Sequence, residues 1–134
     1  MGADVNIKTI QEIYEAFGRG DVAAILAGVT GDVDWATEAS GTGAPWYGPH
    51  RGPDGVADFF TAFGSTMEVE EFNPLAYAGT DTEVMTVVHC KAKSRATGRR
   101  IDHDLHHYFR FRDGKIAYYR GTEDTAQTEA ALTA

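Results

Sequence analysis

The spacing of apolar residues changes abruptly at Met67, and this change constrains the fold more than any other feature of the chain. Before Met67, apolar residues recur at intervals of three and four, which is the repeat of a helix with one buried face. After it they alternate with polar residues, which is the repeat of a strand with one buried face. Helices followed by consecutive strands predict an α+β domain with an antiparallel sheet covered on one face.

Three segments carry the helical repeat, and glycines separate the first two. Their apolar positions are Ile10, Ile13, Tyr14 and Phe17, then Val22, Ile25, Leu26 and Val29, then Val56, Phe59, Phe60 and Phe63. Gly18 and Gly20 interrupt the first two segments, so we expect a helical hairpin with an apolar inner surface. Asp4 and Asp21 are placed to cap these two helices, and Pro53 suits the first turn of the third.

The remaining chain is interpreted as a short strand over 32–35, a glycine- and proline-rich loop over 38–55, four longer strands and a tail. The longer strands are expected at 67–78, 83–95, 99–112 and 115–121. The tail over 125–134 is rich in Ala and Thr, and we expect it to be frayed. Residues 1–134 are thus expected to form a single domain, with 1–124 as its compact part.

The first hairpin turn predicts a register between two strands. Thr97-Gly98 is a dipeptide typical of two-residue hairpin turns. Such a turn places Lys91 opposite Asp104 and Lys93 opposite Asp102 on the outer face of the sheet. These complementary pairs favour this register over a slip by one residue, which would reverse the two faces.

The second hairpin turn, Asp113-Gly114, places polar side chains on an inner face that is otherwise apolar and aromatic. The register sets His107 opposite Arg120, and its extension brings His103 near Asp124. An inward histidine is more often a satisfied core residue than a catalyst, whereas an arginine is rarely buried without a partner. A carboxylate neighbour raises the pKa of a histidine and an arginine lowers it, and the sequence leaves open which neighbour dominates.

The charge and the cysteine content exclude several classes of function. The chain has 12 Lys+Arg and 20 Asp+Glu, for a formal net charge of −8. Nucleic acids and anionic membranes attract clustered basic residues, so we expect neither as a partner. Cys90 is the single cysteine and excludes an internal disulfide. No signal peptide or apolar stretch of roughly 20 residues is found, which predicts a cytoplasmic protein.

The five histidines do not predict a metal site. His103 and His107 are about 13 Å apart on an extended strand, which is too far for one ion. His106 points to the opposite face from His107. Glycine patterns for binding a dinucleotide or a nucleoside triphosphate are also missing, so neither of these ligands is expected.

Three sequence blocks carry a family resemblance. They are 13–21 (IYEAFGRGD), 47–52 (YGPHRG) with the helix that follows it, and 107–116 (HYFRFRDGKI) with 120–124 after it. In this order they resemble the SnoaL-like, ketosteroid-isomerase-like proteins of the nuclear-transport-factor-2-like superfamily. The resemblance implies a cone-shaped barrel, in which a strongly curved sheet wraps around the helical hairpin and third helix and encloses an apolar pocket.

The same resemblance implies a small-molecule pocket that needs no cofactor. Family enzymes include isomerases, polyketide cyclases and dehydratases that act on cyclic hydrophobic compounds. Residue by residue, the resemblance implies an acid–base pair of His107 and Asp124, with Arg120 stabilising negative charge on a substrate oxygen. The substrate-binding walls are expected to comprise Tyr14, Trp35, Phe59, Phe63, Val88, His103, Leu105, Phe109 and Tyr118.

The chain departs from the steroid isomerases of this group at three positions. Thr37 occupies the place of the carboxylate base, Ile13 that of the oxyanion-hole tyrosine and His107 that of the oxyanion-hole acid. The steroid reaction itself is therefore not expected. Another acid–base reaction, non-catalytic binding of a hydrophobic ligand and a purely structural dimer all remain open.

The resemblance also implies a homodimer. We expect its interface on the outer face of the sheet, where apolar and aromatic residues form a patch. The patch is expected to comprise Met85, Val87, Tyr108 and Tyr119.

Overall fold

A computed structural model describes residues 2–41 and 43–134. In these residues the chain forms four helices and six strands. The helices are α1 (Ala3–Arg19), α2 (Val22–Leu26), α3 (Gly52–Thr66) and α4 (Thr125–Leu132). The strands are β1 (Val29–Thr37), β2 (Gly48–Arg51), β3 (Met67–Gly79), β4 (Glu83–Ser94), β5 (Arg100–Arg112) and β6 (Lys115–Thr122). None of the helices in these two ranges has the length and apolar character needed to cross a membrane.

The strands form one mixed sheet in the order β2-β1-β6-β5-β4-β3. Strands β1 and β6 are parallel to each other, and every other neighbouring pair is antiparallel. The sheet is curved but not closed, so β2 and β3 remain as its two edges. The predicted α+β fold is confirmed, and its sheet is an open cone rather than a closed barrel.

Helices α1 and α3 cover the inner face of the sheet. Ile10, Ile13 and Ala16 of α1 are buried, as are Val56 and Phe59 of α3. These positions follow the helical repeat because only one face of each helix meets the sheet. The expected helical hairpin and third helix are thus confirmed. The second helix is shorter than expected, because it ends at Leu26, and Val29, expected on that helix, begins β1 instead.

The two predicted helix caps have different outcomes. Asp21 caps α2, since its Oδ1 accepts a hydrogen bond from the Ala24 backbone N–H at 3.1 Å. Asp4 does not cap α1, because that helix begins at Ala3 with Gly2 at the cap position. Asp4 lies instead in the first turn, where a carboxylate interacts favourably with the positive end of the helix dipole.

Two segments are more regular than the sequence indicates. The predicted loop over 38–55 contains strand β2 and the first turn of α3. The expectation that the tail over 125–134 is frayed is wrong, because residues Thr125–Leu132 form α4, with Thr128 and Ala131 buried. Neither segment has a strong apolar repeat, so its regular structure depends on tertiary contacts that a local pattern does not reveal.

The register between β4 and β5 differs from the predicted one by two residues. Lys91 pairs with Asp102, and His89 pairs with Asp104. The connection is longer than a two-residue turn and includes Gly98 at a φ of +74°. The predicted partners of both lysines are therefore wrong, but a shift of two keeps every side chain on its predicted face.

The register between β5 and β6 contains a bulge. Next to the turn, Phe111 pairs with Ile116 as predicted, but Arg110 pairs with Tyr118. Ala117 is thus an extra residue on β6, and the register beyond it moves by one. A bulge of one residue reverses the faces on which the following side chains lie.

The bulge decides which residues of β6 face the helices. His107 pairs with Gly121 rather than with Arg120. Tyr119, which is buried, lies on the inner face, and Tyr118 and Arg120 lie on the outer face. The predicted positions of these three side chains are all wrong for this one reason.

Candidate functional site

A cavity of about 80 Å³ lies between the inner face of the sheet and helices α1 and α3. Its walls are mainly aromatic and aliphatic, so a bound molecule would exchange water for apolar surface. The expected wall residues that line it are Tyr14, Trp35, Phe59, Phe63, His103, Leu105 and Phe109, together with His107. Val88 is fully buried but does not border the cavity, so its expected position in the wall is wrong.

His107 is held by a chain of hydrogen bonds that begins on β4. The Tyr14 hydroxyl lies 2.7 Å from His107 Nδ1 and 2.6 Å from Thr86 Oγ1. Tyr14 comes from α1, so the bonds connect the helix to both strands of the β4–β5 hairpin. Because Nδ1 is occupied by Tyr14, Nε2 is the ring nitrogen available to a ligand.

These three groups have two consistent proton arrangements. In the first, Thr86 donates to Tyr14 and Tyr14 donates to Nδ1 of His107, so Nε2 carries the ring proton. In the second, Nδ1 donates to Tyr14 and Tyr14 donates to Thr86, so Nε2 is an acceptor. His107 is therefore a hydrogen-bond donor in one arrangement and a base in the other.

The ring of His107 is half-buried among aromatic side chains. It packs against Tyr14, Phe109 and Tyr119, with ring centroids 5.7, 6.0 and 5.4 Å away. This burial lowers the pKa of His107 to about 3, because the charged form loses its hydration. The pKa of His107 is thus determined by burial and not by a neighbouring carboxylate or arginine, and the imidazole is neutral at neutral pH.

Tyr119 is a wall residue that the predicted register missed. Its ring lies against Trp35, with centroids 4.1 Å apart, and 5.1 Å from the ring of Phe109. Its hydroxyl occupies the space beside Gly121, where an added Cβ would lie 2.2 Å from the Tyr119 oxygen. Burial raises the pKa of Tyr119 well above its ordinary value, so the phenol keeps its proton.

Arg120 lies on the opposite side of the sheet from His107. Its guanidinium contacts Asp34 Oδ1 at 3.1 Å and Glu38 Oε1 at 3.0 Å. It also stacks over Tyr118, with its central carbon 4.2 Å from the ring centroid. The expected positions of Arg120 and Tyr118 at the pocket are therefore wrong, and this arginine is paired with carboxylates on the outer face.

The carboxylate at the cavity is Glu123 rather than Asp124. Asp124 caps α4, with Oδ1 accepting from the Gln127 backbone N–H at 3.2 Å, so its expected position beside the histidines is wrong. Glu123 borders the cavity, and its Oε2 accepts from the hydroxyls of Thr128 and Tyr47. Beyond the bulge, odd-numbered residues face inward, which explains the exchange of Asp124 for Glu123.

Two wall residues carry buried nitrogens without partners. Both ring nitrogens of His103 and the Nε1 of Trp35 lack a hydrogen-bond partner within 2–41 and 43–134. His103 is 8% exposed and Trp35 is 3% exposed. Most buried polar groups in proteins are hydrogen-bonded, so these nitrogens mark a place where the protein presents polar groups to an otherwise apolar space.

Other wall residues had a signal in the sequence. Phe17 belongs to the predicted apolar stripe of the first helix, and Cys90 to the predicted inner face of β4. Thr37, named as a departure from the steroid isomerases, is buried and also lines the cavity. Trp46 is 1% exposed and closes part of the cavity from the β1–β2 connection. This connection has no apolar periodicity from which its position in the wall could be predicted.

Comparison with known proteins agrees with this architecture. The SnoaL-like domain family matches residues 10–119. An NTF2-like protein from Burkholderia xenovorans LB400 is 22% identical, with a TM-score of 0.88 and coverage of 99% of each chain. An NTF2-like protein of unknown function from Burkholderia pseudomallei K96243 is 24% identical, with a TM-score of 0.89 and coverage of 97% of this chain and 98% of that chain.

A third structure, TerC co-crystallised with polyporic acid, is 21% identical, with a TM-score of 0.83 and coverage of 96% of this chain and 98% of that chain. No curated protein matches the sequence. At these identities the structural likeness shows the fold alone.

Proposed function

Because this chain belongs to the SnoaL-like domain family, we propose that it moves protons on a small hydrophobic cyclic compound, as a cofactor-independent isomerase, cyclase or dehydratase does. The observation that carries the proposal is His107, a neutral imidazole at an apolar cavity with Nδ1 held by Tyr14 at 2.7 Å. Oriented polar groups at an apolar cavity are typical of acid–base sites. TerC, a protein of this fold co-crystallised with polyporic acid, supports a small-molecule ligand.

We assign the proton transfer to Glu123 and His107. In the proposed step, the Glu123 carboxylate takes a proton from a ring carbon next to a carbonyl group. The electron pair of that C–H bond moves to the carbonyl oxygen, and Nε2–H of His107 donates a hydrogen bond to the resulting enolate. Where a C=C bond adjoins the deprotonated carbon, the intermediate is a dienolate, and return of the proton from Glu123 to the far carbon of that bond completes an isomerisation. Without such a bond, a proton or a deuteron from solvent returns to the same carbon, and in neither case is a further reactant consumed.

The lowered pKa of His107 supports the role of donor. An imidazole with a pKa of about 3 is a weak base, but it remains neutral and keeps its N–H for a developing oxyanion. The first proton arrangement, in which Tyr14 donates to Nδ1, places that proton on Nε2. Tyr14 is thus proposed as the residue that orients the donor.

The same pKa favours a second candidate function, which is the binding of a hydrophobic ligand without catalysis. A weakly basic, fully neutral histidine serves to orient a carbonyl group in a binding module as well as in an enzyme. The two candidates differ in whether a C–H proton of the ligand exchanges with solvent.

Deuterium uptake distinguishes the two functions without knowledge of the product. Small cyclic ketones, such as cyclohexanone and 1-tetralone, are incubated with the protein in D₂O, and loss of the α-proton signal is followed by NMR. Any compound that native mass spectrometry finds bound to the purified protein joins the panel. We expect wild-type protein to accelerate exchange, and His107→Gln to reduce the acceleration by about 10²- to 10⁴-fold.

The matched control is His106→Gln, which changes the neighbouring histidine on the outer face and should leave the rate unchanged. Glu123→Gln should reduce the rate as His107→Gln does, because it removes the base while retaining the shape of the side chain. An exchange rate equal in wild type and in folded His107→Gln would contradict the enzymatic proposal. Ligand binding without exchange would favour the binding module.

A further inference from the structure

His103 has unmet hydrogen-bonding capacity at the cavity. It lies on the inner face of β5, four residues before His107, and borders the same cavity. Its side chain is nine-tenths buried, with a relative exposure of 8%. Neither Nδ1 nor Nε2 has a hydrogen-bond partner in the part of the chain that the structure describes.

The other histidine and the carboxylate that border the cavity do have partners. His107 is bonded to Tyr14 and Glu123 to the hydroxyls of Thr128 and Tyr47. A neutral imidazole has one N–H donor and one acceptor nitrogen, and burial of both without partners is unfavourable. His103 therefore differs from the common core histidine, whose ring nitrogens are hydrogen-bonded. A polar group on a ligand would supply the partner that its ring nitrogens lack.

We propose that His103 hydrogen-bonds a hydroxyl group on the ligand, which makes the ligand an oxygenated ring compound rather than a plain ring ketone. This inference rests on the proposed use of the cavity as the ligand site. A hydroxyl group both donates and accepts, so it suits His103 in either tautomer. Trp35 Nε1, which is also buried without a partner in the part of the chain that the structure describes, can only donate and suits a ligand oxygen as well.

His103 and His107 contact different parts of the ligand. On an extended strand, a separation of four residues places their Cα atoms about 13 Å apart on one face. The reacting carbonyl belongs at His107, and the hydroxyl that determines binding belongs at His103. Selectivity for the hydroxyl is therefore separate from proton transfer, and each can be removed alone.

A matched set of ligands measures this selectivity directly. The probes are 1-tetralone and its 5-, 6- and 7-hydroxy derivatives, which share a ring ketone and differ in the position of a hydroxyl group. Binding is followed by titration calorimetry. For wild type we expect at least one hydroxylated isomer to bind about tenfold more tightly than 1-tetralone, a gain of about 1.4 kcal/mol at 25 °C.

Substitutions assign this gain to His103. His103→Leu should abolish the gain and leave the affinity for 1-tetralone within about twofold, and His103→Gln, which keeps an amide donor and acceptor, should retain part of it. The matched control His106→Leu should retain all of it. If His103→Leu weakens all four ketones by one factor, or if no isomer binds wild type more tightly than 1-tetralone, the inference is overturned. Equal binding of all four ketones by wild type is expected if His103 is hydrogen-bonded only by a buried water.

The binding experiment fails independently of the proposed reaction. A His103-dependent gain in a protein that exchanges no α-protons would support this inference and contradict the enzymatic proposal. Exchange that depends on His107, without a gain in affinity that depends on His103, would support the enzymatic proposal and contradict this inference. His107→Gln is expected to lose exchange while keeping the preference for the hydroxylated isomer.

Discussion

At the scale of single residues, His107 has a pKa determined by its packing. The side chains expected to shift its pKa, Arg120 and Asp124, lie elsewhere, and loss of hydration lowers the pKa to about 3. The unfolded chain, by contrast, exposes this imidazole with an ordinary pKa of about 6.5. This difference between the two states links folding to pH.

We expect His107 to destabilise the folded protein in acid. Between pH 6.5 and 3 the unfolded state binds a proton that the folded state does not, so the free energy of unfolding falls as pH falls, by about 1.4 kcal/mol per pH unit from this group. His107→Gln should remove this contribution. Urea denaturation at several pH values measures the difference. His106→Gln should retain most of the wild-type slope, because burial lowers the pKa of His107 more than the charge of His106 does.

Tyr14 is expected to stabilise the site by occupying His107 Nδ1. Tyr14→Phe leaves that nitrogen and the Thr86 hydroxyl unpaired, and should lower the free energy of unfolding by about 1–3 kcal/mol. Tyr77→Phe on the neighbouring ring is the matched control, since its hydroxyl is outside this chain of bonds. Equal losses in the two variants, measured by chemical denaturation, would show that the hydrogen bonds contribute nothing specific.

At the scale of elements, the bulge at Ala117 is the feature that positions the site. It brings Tyr119 to the inner face and requires Gly121 beside it, because any Cβ at residue 121 would overlap the Tyr119 hydroxyl. The bulge and the glycine are thus one unit of local structure.

Gly121→Ala should displace Tyr119 and lower the free energy of unfolding by about 1–3 kcal/mol. The reason is steric, since the new Cβ would lie 2.2 Å from the Tyr119 oxygen and 3.0 Å from Cζ. Adding Tyr119→Phe removes the nearer atom and should restore part of the loss. Gly31→Ala, a strand position with nothing within 4 Å of its Cβ, is the control and should change stability little.

The sequence predicted the regular elements well and the exact register poorly. Apolar periodicity located α1 and α3 and the four long strands, because burial of one face imposes that repeat on the residues. It located His107 as an inward polar residue, since the β4–β5 error of two residues preserves the faces. It missed Glu123 and Tyr119, because a single bulged residue such as Ala117 leaves no mark in a two-residue repeat.

At the scale of the whole molecule, the outer face of the sheet carries an exposed apolar patch. Met85 is 55% exposed there, and its Cα partner across the sheet is Tyr108. Tyr119, which we expected in this patch, is buried in the core, so the patch is smaller than the sequence suggests. We still propose that it joins two copies of the chain, with Met85, Val87 and Tyr108 at the contact.

Light scattering should then report about twice the 14.6 kDa mass of one chain. Because each copy carries a formal charge of −8, added salt should strengthen the association by screening repulsion. Met85→Lys should favour monomers, and Val5→Lys, at an exposed position on α1, is the matched control. A monomer at all salt concentrations would contradict an interface at this patch.

The bulge at Ala117 also has a consequence for the comparison of related sequences. Deletion of this one residue would join Ile116 directly to Tyr118 and make the pairs Phe111–Ile116 and Arg110–Tyr118 consecutive. Tyr119 would therefore still face the cavity, with Tyr118 and Arg120 on the outer face. A related protein without the extra residue would thus present the same side chains to the pocket, although each would lie one position closer to the β5–β6 turn. Roles assigned by counting residues along β6 therefore hold only between proteins that share this insertion.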